Sequence, residues 1–201
     1  MSGILDLINT PSGKSIINGV AMQTNQPENK TQEVLTMALP VLMQAMSRNA
    51  ATPQGAEGLL SALQGDKHDG SILENLGDLF GGGVDTNVLD DGDKILGHIL
   101  GSKQANVQNA INQKSGIDAG TIAQILKVAA PILMGYLGNQ AKEKKINSTS
   151  GLEGMLGGLL KGNSPQQERS FLESILDADG DGSVIDDVAG MVLGGDKKKG
   201  G

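Results

Sequence analysis

A proline set inside two long apolar stretches, at matched places, constrains this chain more than any other feature. Val34-Leu-Thr-Met-Ala-Leu-Pro-Val-Leu-Met43 returns as Ile125-Leu-Lys-Val-Ala-Ala-Pro-Ile-Leu-Met134, with five of ten positions identical and Pro131 placed 91 residues after Pro40. Self-similarity at a fixed offset marks a chain built from repeated units. Further pairs follow in the same order after a small insertion: residues 55–60 match 151–156, 71–76 match 170–175, and 88–91 match 184–187. Upstream, 16–20 matches 107–111 more loosely. The 201 residues therefore divide into an N-terminal segment 1–9, repeats over 10–100 and 101–195, and a disordered basic tail 196–201. The two repeats are expected to form one globular unit.

Both repeats have a helical pattern. Residues 34–46 and 124–137 are apolar nearly all round, which marks helices buried on most faces. Proline removes one backbone hydrogen bond and clashes with the preceding turn, so Pro40 and Pro131 are expected to kink or break these helices. A shared kink implies pseudo-twofold packing; the simpler alternative is that each proline starts a second short helix. Thr10-Pro11, Thr52-Pro53 and Ser164-Pro165 carry a cap followed by proline at the first helical position. Ser71–Glu74 and residues 164–167 also have capping-box spacing. The fold class is all-α, with two duplicated repeats packed around central proline-containing helices and an EF-hand-like loop at the C-terminal end.

Composition sharpens this. One Tyr, two Phe, no Trp and no Cys oblige any core to use Leu, Ile, Val, Ala and Met, and Met22, Met37, Met43, Met46, Met134 and Met155 are expected to fill it. There are 30 glycines. Gly154, Gly157 and Gly158 are spaced for close helix approach, at about 1 kcal/mol of helix propensity each. Residues 81–83 and 194–195 are expected to be loops, and 142–150 an exposed polar linker.

The same composition excludes chemistry. Without cysteine there is no disulfide, thiol catalysis or cysteine-ligated zinc. Three aromatics and a net charge of -7 oppose nucleic-acid binding. Gly13-Lys14-Ser15 ends like a phosphate-binding loop, but the required first glycine falls at Ile8 and no βαβ pattern surrounds it. His68 lies in a polar turn and is expected at the surface, whereas His98, among Ile95, Leu96, Ile99 and Leu100, is expected to be packed. No nucleophile–base pair stands out, and Asp90-Asp91 reads as a helix N-terminal cap. The chain is expected not to be an enzyme. Asp6 precedes any basic residue and no uninterrupted apolar run follows, so a cytoplasmic location is expected, with export by another route as the alternative. The charge-free apolar runs 34–46 and 128–138 fall short of the ~20 residues of a membrane span.

The most specific motif is Asp177-Ala-Asp-Gly-Asp-Gly-Ser-Val-Ile-Asp-Asp187. With Asp177 at loop position 1, Asp179 and Asp181 take positions 3 and 5, Gly182 the sharp turn at 6, and Ser183 the backbone carbonyl at 7. Alternating carboxylates of this kind converge on one Ca2+ ion. Over 177–188 the loop departs from the EF-hand pattern at position 12, where Val188 replaces the bidentate Glu, so Asp186 or Asp187 has to complete the site. Affinity then falls toward the weak end, near ~10⁻⁴ M. A structural alternative is an acidic turn that only caps the next helix. The matching stretch 78–91 has lost the alternating carboxylates and is expected to be a turn.

Taken together, residues 38–63, 68–83, 95–101, 111–126, 129–138 and the closing 177–191 resemble the YidB-like bacterial family, a domain of unknown function. The resemblance spans about residues 10–195 and implies an all-helical protein, with no catalytic residues to carry over. The expected function is that of a non-enzymatic structural or interaction protein, self-associating into a homo-oligomer or meeting another protein, with a Ca2+-stabilised C-terminal loop. The alternative is a helical regulatory or nucleic-acid-associated protein, and a metal-dependent lyase or hydrolase is weaker still.

Overall fold

The structure, a computed structural model, describes residues 4–65, 67–68 and 70–161. Among the described residues ten α-helices follow one another: α1 (Ile4–Asn9), α2 (Pro11–Thr24), α3 (Glu28–Asn49), α4 (Pro53–Gln64), α5 (Ser71–Glu74), α6 (Leu76–Gly81), α7 (Thr86–Leu100), α8 (Gln104–Ser115), α9 (Ala119–Glu143) and α10 (Thr149–Lys161). A single 3-10 turn, Gly101–Lys103, joins α7 to α8, and no strand occurs among the described residues. The expected EF-hand-like loop and the Ser164 cap lie outside the described residues.

The central helices are α3 and α9, as their all-round apolarity requires. Val34, Ala38, Val41, Leu42, Met43 and Met46 of α3, and Ile122, Ile125, Leu126, Val128, Leu133 and Leu137 of α9, are fully or almost fully buried. Where side chains cover the backbone this closely, its helical hydrogen bonds have to be satisfied internally. Both helices nevertheless contain their proline and run through it unbroken. Pro131 cannot donate to the carbonyl four residues earlier, that of Lys127. Gly92 of α7 packs against that very oxygen, so closely that a methyl group at Gly92 would collide with it. Among the described helices, α7 and α9 have the most extensive contact.

Around this centre the helices are exchanged. The N-terminal half supplies α4, which packs against α9, and the C-terminal half supplies α10, which packs against α3. In the same way α2 touches both α3 and α9, and α8 touches both α9 and α3. The boundaries correspond too: α2 ends at Thr24 before the left-handed Asn25 (φ 52°), and α8 ends at Ser115 before the left-handed Gly116 (φ 72°). A three-residue connection then leads to Glu28 in one case and Ala119 in the other.

The caps of α2 and α4 form as their sequences require. Thr10 accepts from the Gly13 amide at 3.0 Å and Thr52 from the Gly55 amide at 3.1 Å. Asp118 caps α9, accepting from the Thr121 amide at 2.8 Å and hydroxyl at 2.6 Å; those bonds hold its carboxyl below the usual range. Three expectations are corrected. Ser71 is the first residue of α5, whose cap is Gly70 at φ 102° with no side-chain bond. Asp90 and Asp91 lie inside α7, which Asp85 caps by accepting from the Asn87 amide at 2.7 Å, so the stretch expected to be a turn is largely helix. Gly154 and Gly157 of α10 face open space. Close approach occurs instead at Gly92, at Gly135 beneath Ile72, and at Gly138 beneath the His68 carbonyl.

Candidate functional site

A groove of about 660 Å³ lies between α4 and α7. Gln54, Gly55, Gly58, Leu59 and Ala62 line it from α4, and Lys94, Ile95, Gly97, His98 and Ile99 from α7, with Met134 of α9 beneath. Its width follows from residue size. Neither Gly58 nor Gly97 has any atom within 4 Å of where a side chain would begin, so the two helices stand apart over their glycine positions.

Both histidines of the chain border this groove, with the exposures expected of them reversed. His68 is 8% exposed, because the connection from α4 to α5 folds inward and seats the His68 carbonyl on Gly138 of α9. Its Nε2 lies 3.6 Å from Asp91 Oδ2 of α7. Burial holds the imidazole below its ordinary pKa, against the opposing pull of the Asp91 carboxylate, and Lys67 adds to the lowering. His98 is exposed on α7, whose buried side is taken by Gly92, Leu96 and Leu100. Met22 is likewise corrected from core filler to a surface residue at 72% exposure, while Met43, Met46, Met134 and Met155 are buried as expected.

Apolar and small residues make up most of the groove lining. Thr52, at its rim, has its hydroxyl engaged in the cap, donating to the Asn49 carbonyl at 3.0 Å while accepting from Gly55. No serine or carboxylate occurs among its described lining residues, and Lys94 is the only lysine or arginine there. Nearby polar contacts fix the walls. Asn49 donates to the His98 carbonyl at 3.4 Å, and Lys127 pairs with Asp93 at 2.9 Å, tying α7 to α3 and α9.

Asp177, Asp179, Asp181, Ser183, Asp186 and Asp187 all lie outside the described residues. Among the described residues no group of three His, Asp or Glu side chains is placed to hold a metal ion. One described helix, α9, is long and apolar enough to cross a membrane, and 67% of its most apolar stretch is buried inside the molecule.

Fold and site together define an all-helical protein with a largely apolar groove between α4 and α7. The chain belongs to a family described as bacterial protein of unknown function (DUF937), whose pattern matches residues 6–140, from α1 to near the end of α9. The similarity to YidB-like proteins is consistent with that membership. No curated protein and no solved structure matches the chain.

Proposed function

We propose that the chain is a non-enzymatic structural or interaction protein in which two duplicated, mutually packed repeats form a platform and the α4–α7 groove takes an apolar helical segment. The groove itself carries this reading: apolar side chains and glycines of α4 and α7 form its two walls above Met134, the arrangement that accepts a helix. The duplication is supported by the matched prolines, the left-handed positions Asn25 and Gly116, and the exchange of α4 and α10 across α9 and α3. Self-association into a homo-oligomer uses the same groove when the segment that enters it comes from a second copy. Light scattering of the full chain at two concentrations tests it. The mass should rise with concentration in the wild type and less so in Gly58→Leu, which fills open space without disturbing the core. A strict monomer throughout removes the self-association.

The loop 177–188 is proposed to bind one Ca2+ through Asp177, Asp179, Asp181 and the Ser183 carbonyl, with Asp186 or Asp187 completing the set. The spacing of the carboxylates supports it. An ion that binds only the folded state stabilises it. Melting should therefore shift upward in millimolar calcium relative to EDTA, and an equal midpoint in both, unchanged by Asp177→Ala with Asp179→Ala, removes the site.

A further inference from the structure

Apart from its docking character, the α4–α7 groove has a specific occupant within reach. We infer that it receives the chain's own C-terminal segment, with Phe171, Leu172, Ile175 and Leu176 seated between the two helices. This rests on the groove being a docking site, as proposed above, and adds which sequence occupies it.

Three observations converge. The first is reach. α10 ends at Lys161 and packs against α4, the helix that forms one wall of the groove. With the helix that Ser164-Pro165 is expected to start, three extended residues from Lys161 to Ser164 span ~10 Å and the helical rise from Pro165 to Phe171 adds ~9 Å. Passing around α4 requires about one helix diameter, ~10 Å.

The second is complementarity. The α4 lining runs from Gln54 to Ala62, a rise of ~12 Å or about two turns. Phe171, Leu172, Ile175 and Leu176 fall at spacings that share one side of a helix over a similar length. They would meet Leu59, Ala62, Ile95 and Ile99 above Gly58 and Gly97, where there is room for large side chains. Lys94 borders a groove without described carboxylates, and Glu168, Glu173 and Asp177 flank the apolar set.

The third is that the seat suggested by repeat symmetry is a poor one. Ile72 of α5 settles over Gly135 of α9, and Gly92 of α7 over the Lys127 carbonyl. At the matching places the C-terminal half would have to lay Phe171 over Gln44 and Val188 over Thr36. Both pairings put a side chain where the first half depends on glycine. Linkage within one chain meanwhile gives the open groove an effective concentration on the order of millimolar.

The absence of native cysteine makes the test clean. In the full chain, Gly58→Cys is combined with Leu172→Cys, and Met22→Cys with Leu172→Cys serves as control, Met22 being exposed on α2. Mild oxidation should give an intrachain disulfide in the monomer at several times the control yield, lost when Ile175→Asp is added. A yield equal to the control overturns the inference. Disulfide-linked dimers without the intrachain product also overturn it, while leaving the groove as a docking site between copies. If no crosslink forms and Gly58→Leu leaves the solution mass unchanged at every concentration, the groove reading falls as well.

Discussion

Pro131 costs α9 a hydrogen bond, and the residue that crosses the freed carbonyl is a glycine. Gly92 is required by contact rather than by backbone angle, since a Cβ there meets the rigid Lys127 backbone and not a side chain that could move away. Gly92→Ala should destabilise the fold by about 1–3 kcal/mol despite the better helix propensity of alanine. Gly58→Ala, in open space on α4, should stabilise by up to about 1 kcal/mol. Urea midpoints of the two variants check both signs. His68 makes a pH prediction. Its folded pKa is depressed, so between that value and about 6.5 the unfolded chain binds more protons and stability falls as the pH drops. The loss levels off below the folded pKa. Burial is the largest influence on the ring and lowers its pKa, Lys67 works in the same sense, and together they outweigh the opposing pull of Asp91. His68→Gln should flatten the component between about pH 7 and 5 in a series of denaturation curves. An unchanged slope would show that His68 is not the titrating group.

At the scale of elements, the helices were legible where their signals are local. Apolarity on all sides located α3 and α9, and Thr10-Pro11 and Thr52-Pro53 located the starts of α2 and α4. The signals that misled were those whose meaning depends on tertiary neighbours. Ser71 has capping-box spacing, yet Gly70 turns the chain left-handed one residue earlier, and Asp85 takes the cap expected of Asp90. The glycines of α10 have helix-packing spacing but face no partner, whereas Gly92, Gly135 and Gly138, without a shared motif, mark the close crossings. The groove was illegible for the same reason: Gly58 and Gly97 are small residues on different helices, and only the fold sets them opposite one another. A cap prediction separates the two cases. Thr52→Ala should cost about 1 kcal/mol, because the Gly55 amide loses its acceptor. Replacing Ser71 by alanine should not remove an N-cap interaction of α5, and thermal melts of the two variants should differ accordingly.

At the scale of the molecule, the halves depend on each other. α4 and α7 lie on α9, α10 lies on α3, and α8 fills space against both central helices. An isolated half would expose a helix that is apolar on nearly every face, without the neighbours that bury it. Burial in this arrangement, rather than propensity, holds the glycine-rich helices together. Separation of the halves tests that interdependence most directly. Residues 1–100 and 101–201 are prepared alone and mixed, and helicity and thermal unfolding are followed by circular dichroism. Neither half should show a cooperative melt alone, and the equimolar mixture should regain the single transition of the full chain. A cooperative melt with full helicity in either half by itself would contradict the exchanged packing.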